Sequence, residues 1–246
     1  MKLPGNWNLP QEIQDRLGEK PGRQRAMIAE GHLLLILHKL PDADDAERIG
    51  VLFWRNPEGE WRASEGKGGL PVLKKHMGDY DDAAEVLDQK YEGAESALDY
   101  FEILKLAIPL HRAAKNMQVA FQTAREGLPD AKELISLRDE AYEIARACEL
   151  VEADSKVGLD YDTARKADAQ ARIARLQASA SHRLNLLAAL FLPITALASV
   201  LGMNLTHGLE DSGSWAFWMI LMIGLVTGLC LVPLLTKHDD DEELLR

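Results

Sequence analysis

The chain has 246 residues, 47% hydrophobic and 27% charged, the proportions of one globular domain carrying an additional apolar part. With 28 basic against 39 acidic residues its formal net charge is −11, which excludes a nucleic-acid-binding surface of the usual basic kind. Two cysteines, Cys148 and Cys230, give neither a disulfide framework nor a cysteine metal site, and the absence of a Gly-rich phosphate loop, an H-E-x-x-H pair or a nucleophile motif speaks against an enzyme.

The polar start, residues 1–20, has no secretory pattern, so the N-terminal part is expected in the cytoplasm. Two apolar runs at 33–37 and 51–54, then a turn at Asn56-Pro57-Glu58-Gly59 and a short run at 61–63, predict a small sheet. After Gly69 the period becomes helical. Ala84, Leu87, Tyr91, Ala94, Leu98, Phe101, Leu104 and Ile108 step by three or four and predict one helix face, with Pro109 kinking or interrupting it. Gly127-Leu128-Pro129-Asp130 is a break, followed by a helix over 131–157 that Gly158 is expected to end. Asp160 or Asp162 would then cap a new helix running to residue 203, about 60 Å long. Two acidic clusters, Asp79, Asp81, Asp82 and Glu85, and Glu149, Glu152 and Asp154, could sense a cation or simply form solvated helix faces. His32, His38, His76 and His111 are scattered and read as surface or packing residues.

From residue 184 to 235 the composition changes sharply. Two apolar blocks, 184–203 and 215–235, are each close to the roughly 20 residues a helix needs to cross a bilayer, and between them lie only Glu210 and Asp211 as charges, with His207 beside them. Arg172, Arg175 and Arg183 precede the first block and Lys237 follows the second, while the loop has no basic residue, so both termini are expected in the cytoplasm and the loop outside. The predicted division is a cytoplasmic α/β and helical domain (1–160), a stalk (161–183), a first span (184–203), an external loop (204–214), a second span (215–235) and an acidic cytoplasmic tail (236–246). One stripe of the long helix reads Ala174, Ala178, Ser181, Asn185, Ala188, Leu192, Thr195, Ser199, Gly202. Small residues let membrane helices pack closely, which is its plain explanation. Asn185, Thr195 and Ser199, however, are costly in lipid unless bonded or wet, and two helices alone cannot surround a hydrated ion. A ring of copies with this stripe inward would supply a pore wall.

The first apolar block ends in Gly202-Met203-Asn204 and contains Phe191-Leu192-Pro193-Ile194-Thr195. In this placement, shortly before a second C-terminal span, the sequence resembles the CorA family of magnesium transporters. The resemblance covers residues 181–235 well, the preceding helices in architecture, and residues 31–63 only as a shortened version of the family's cytoplasmic α/β domain. It implies a mostly α membrane protein of the inner or plasma membrane, assembled as a homopentameric channel. It also implies that Asn204 forms an outer ring of amide oxygens that receives hydrated Mg²⁺, with Gly202 and Met203 setting its geometry. Mg²⁺ sheds water reluctantly, which suits such a ring. Ser181, Leu184, Asn185, Ala188, Leu192, Thr195 and Ser199 would line the pore, and Leu184 and Leu192 are candidates for a drying hydrophobic gate. Glu210 and Asp211 would concentrate cations at the mouth. No cofactor is implied beyond the transported ion. Zn²⁺ or another divalent metal is the alternative cargo, to which His182 and His207 would be suited, and a membrane-anchored scaffold without transport is the alternative function. Two departures stand out: Leu201 replaces the family's aromatic residue before the tripeptide, and Asp239-Asp240-Asp241-Glu242-Glu243 replaces its basic tail.

Overall fold

The structure, a computed structural model, describes residues 3–41, 48–66, 68–202 and 213–243, with the backbone alone for 231–243. The chain forms two compact units, residues 1–165 and 166–246.

The first unit starts with a short helix, α1 (Gln11–Asp15), and an antiparallel four-stranded meander. Its strands are β1 (Arg25–Ala29), β2 (His32–His38), β3 (Gly50–Arg55) and β4 (Trp61–Ala63), paired in sequence order. The last three match the predicted runs. β1 is additional, since Arg25-Ala26-Met27-Ile28-Ala29 alternates too weakly in sequence to announce a strand. The Glu30–Gly31 turn that joins it to β2 has positive φ at both residues, 51° and 76°, the backbone of a tight hairpin. β2 reads as an unbroken apolar run because both of its faces are covered. Leu33, Leu35 and Leu37 enter the helical core, while Leu34 and Ile36 join Leu9, Ile13, Met27, Leu52 and Trp54 on the α1 side.

Three helices complete this unit: α2 (Leu70–Glu92), α3 (Ala97–Gly127) and the first part of α4 (Glu133–Leu201). The single helix face predicted across residues 84–108 is corrected to two helices. The chain turns at Gly93, and Ser96 starts α3 with a reciprocal capping box to Asp99. The turn resets the helical phase: Ala84, Leu87 and Leu104 are buried, whereas Leu98 and Phe101 are 67% and 56% exposed. Pro109 does not interrupt α3, which runs on to Gly127.

Gly158 does not end a helix either, and no new helix starts at Asp160 or Asp162, because α4 continues through all three. Gly158 is there for close packing. A Cβ on it would lie 2.5 Å from Cε1 of Tyr100 on α3. The Tyr100 hydroxyl donates to the Ala94 carbonyl at 3.1 Å, which holds the ring in place. Asp162 is 3% exposed, and its Oδ2 accepts from the Ala97 backbone N–H at 2.7 Å. It therefore caps the first turn of α3 from a different helix, rather than capping its own.

The second unit contains the rest of α4 and α5 (Trp215–Glu243). Among the described residues, α4 is the one helix long and apolar enough to cross a membrane by length and composition, and none of its apolar stretch is buried. Trp215–Cys230 of α5 forms a shorter apolar helix.

Candidate functional site

The distal part of α4 keeps helical geometry despite Pro193. Proline supplies no N–H to the helix ladder and would be expected to weaken it there. Two residues further on, the Thr195 hydroxyl donates to the Phe191 carbonyl at 2.8 Å, so this polar side chain is satisfied within its own helix.

α5 packs against one side of α4 through two glycines a helical turn apart. A Cβ at Gly228 would lie 2.8 Å from the Leu190 carbonyl oxygen, and one at Gly224 would lie 3.0 Å from Cγ1 of Ile194. These two positions leave no room for a side chain, and they allow the helix backbones to approach closely. At the Gly202 end the contact opens into an apolar cleft of about 300 Å³ lined by Ile194, Leu197, Leu201, Phe217 and Ile220. The G-x-x-x-G spacing of Gly224 and Gly228 is legible in the sequence, although the sequence reading passed over it.

On α4 beyond residue 181 the half-buried residues are His182, Leu186, Ala189, Leu190, Pro193, Ile194, Leu197 and Leu201. At about 100° per residue these fall on one face, the face turned to α5. Ser181, Leu184, Asn185, Ala188, Leu192, Thr195 and Ser199 are all exposed and occupy the opposite face. Leu184 and Leu192 are 68% and 65% exposed there. The seven candidate pore residues thus share one surface that α5 does not touch. Gly202 is exposed at the end of α4. Met203, Asn204, His207, Glu210 and Asp211 lie outside the described residues, as do the side chains of the acidic tail.

In the second acidic cluster of the first unit, two of the three carboxylates have partners of their own. No group of three or more His, Cys, Asp or Glu side chains that could hold a metal ion occurs among the described residues. Glu149 is bonded to Arg146 at 2.9 Å, and Glu152 accepts from Lys156 while pairing with His111 Nδ1 at 2.7 Å. Burial pushes the Glu152 carboxyl up, but its bonds to Lys156 and His111 outweigh this and hold it below the usual carboxylate range. Cys148 is a buried free thiol, pushed up to about 12 by burial and by the Asp81 carboxylate, and so is inert as a nucleophile or metal ligand near neutral pH.

The fold and this site define a class: a mostly helical protein in which a small antiparallel sheet and helical domain precede a single long helix with an apolar end and a partner helix. Residues 73–237 match the family described as "CorA-like Mg2+ transporter protein", and the chain belongs to that family. Among solved structures it is similar to the full-length CmaX protein, at 14% identity over 94% of this chain and 83% of that one, with a TM-score of 0.54, which places the two in one fold. A further likeness is to the complete CorA magnesium transporter from Methanocaldococcus jannaschii, at 12% identity over 91% of this chain and 81% of that one. The TM-score of that pair is 0.38. A comparison with curated proteins found no match.

Proposed function

We propose that the chain assembles as a homo-oligomer, a pentamer as in CorA transporters, and conducts divalent cations, Mg²⁺ foremost, across the inner or plasma membrane. The observation that carries this reading is the exposed face of α4 opposite α5, where Asn185, Thr195 and Ser199 stand among apolar neighbours with nothing among the described residues to cover them. Membership of a divalent-cation transporter family supports it.

In this reading Asn204 forms the outer ring. Amide oxygens hydrogen-bond to the ion's retained water shell and do not trap the ion as carboxylates would. Gly202 and Met203 set the ring's geometry, and Glu210 and Asp211 in the external loop raise the local cation concentration. Inward from the ring the ion passes Ser199, Thr195, Leu192, Ala188, Asn185, Leu184 and Ser181. Leu192 and Leu184 narrow the path and close it by excluding water. An inside-negative potential drives entry, contributing about 4–5 kcal/mol per 100 mV to a divalent ion. The acidic tail enriches cations at the inner mouth.

The test is metal uptake by proteoliposomes under an imposed potential, comparing the native protein with Asn204→Ala. Mg²⁺ uptake that falls at least tenfold in the variant supports the assignment, and unchanged uptake defeats it. Zn²⁺ uptake without Mg²⁺ uptake reassigns the cargo, and no uptake of either ion by the native protein removes the transport reading.

A further inference from the structure

Two glycine contacts fix how α5 runs past α4. Gly224 lies against Ile194 and Gly228 against Leu190, so the helices are antiparallel and each step forward on one is a step back on the other. In that register Leu235, the last residue of the second apolar block, stands level with Arg183, just before the first block begins. Both helices therefore leave the apolar zone at one depth. α5 stays helical through Glu243, so beyond that depth position 239 is level with Ser179, and position 242 with Leu176, next to Arg175.

The charges past this point are sorted by face. From Ala167 to Arg183 α4 carries Asp168, Arg172, Arg175 and Arg183, and at about 100° per residue they fall within roughly a quarter of the circumference. That arc continues the face which, further along α4, packs against α5. Asp168 pairs with Arg172 at 2.9 Å, and the arc as a whole is basic. On α5 the positions of Asp239 and Glu242 continue the stripe of Gly224 and Gly228, whereas that of Lys237 falls on the opposite side. Acidic positions on one helix thus stand opposite basic positions on the other.

Five consecutive acids at a helix C-terminus, Asp239 to Glu243, are unfavourable by themselves. They repel one another at spacings of three and four residues, and they stand at the negative end of the helix dipole. A basic surface alongside relieves both effects. Anionic lipid is a poorer occupant of the arc, because headgroups extend only about 5–8 Å beyond the hydrocarbon. Arg175 lies about 13 Å of helix before Leu184, where the apolar block begins.

We propose that the acidic segment 239–243 clasps the arc of Arg172, Arg175 and Arg183 in the same chain, holding the inner end of α5 by charge where apolar packing stops. This rests on the two-span part of the reading above, and on neither the ion nor the ring. The five acids outnumber the three arginines, so the clasped tail keeps the negative character assigned to it at the inner mouth.

The experiment uses the full chain in membrane vesicles, with Cys148→Ala and Cys230→Ala as background and Ser179→Cys and Asp239→Cys introduced together. A short bifunctional maleimide is added, and intact mass counts the linkers: one per chain where the two thiols share it, two where each thiol takes its own. Single-linker chains should dominate in about 0.01 M salt and fall several-fold in about 1 M salt, where a charge is felt over only about 3 Å. Arg175→Glu should lower them similarly, and adding Glu242→Arg should restore them. Two linkers per chain at low salt would overturn the clasp, and bridges between chains would overturn its assignment to a single chain. Bridging indifferent both to salt and to Arg175→Glu would overturn its electrostatic origin. Each of these results leaves Mg²⁺ uptake and the native mass untouched as tests of the pore reading, and failure of that reading leaves bridging within one chain as expected.

Discussion

His76 packs between Phe53 and Tyr80, ring centroids 5.5 and 5.6 Å away, and its buried Nε2 has no hydrogen-bond partner among the described residues. Burial pushes its pKa down. The nearby carboxylates of Asp79 and Glu65 and the His38 carbonyl oppose this without reversing it, and Lys39 adds to the lowering. His38, 5% exposed, is also lowered, first by burial and then by Arg48 and Arg25, against the opposing hydrogen bond to the Gly22 carbonyl. Both groups bind protons more weakly folded than unfolded, so the unfolded chain gains protons first as the pH falls below about 6.5. Stability present above that pH should therefore be lost on acidification. Thermal unfolding of the solubilised full chain should show a lower midpoint at about pH 5.5 than at about pH 7.5, with a smaller difference in His76→Phe. An equal difference in that variant would acquit His76. A second test at this scale concerns Arg55, whose Nε bonds Glu133 Oε1 at 2.7 Å with the guanidinium largely buried, tying β3 to the start of α4. Arg55→Ala should cost about 1–3 kcal/mol in denaturant unfolding, much of it from leaving Glu133 unpaired.

At the scale of elements, Gly158 separates two expectations. Helix propensity alone says that Gly158→Ala stabilises an interior helical position by about 1 kcal/mol. The Tyr100 ring against it says the reverse, since a Cβ would stand 2.5 Å from a ring carbon. Gly158→Ala should therefore destabilise by about 1–3 kcal/mol, and adding Tyr100→Ala should remove most of that increment. This position also shows where the sequence stopped being legible. A glycine followed by Asp160 and Asp162 carries the local signature of a helix end and a new cap, and only the packing of α3 reveals that Gly158 serves a close approach and Asp162 a neighbouring helix. Three of the four strands were readable from their apolar runs. The break at Gly93 was masked because apolar spacing happened to continue in step across it. In the second unit the apolar blocks and the polar members of the α4 stripe were readable from composition and spacing, whereas the side on which α5 lies depends on Gly224 and Gly228. Gly228→Leu should separate the two helices and lower the thermal stability of the solubilised protein more than Val226→Leu, whose position is exposed.

At the scale of the molecule, the proposed pore requires the exposed face of α4 to meet other copies of the chain. Its side away from α5 carries polar and apolar residues that no other described element covers, and one copy cannot enclose a hydrated ion. The first unit supplies no metal-holding cluster among its described residues, and the proposed selection of the ion rests on the end of α4 and the wall behind it. The mass of the intact complex, released gently from the membrane and weighed under native conditions, tests this most directly. The account predicts one ring species of five chains, and a protein that stays at one or two chains at every gentle detergent condition would contradict it.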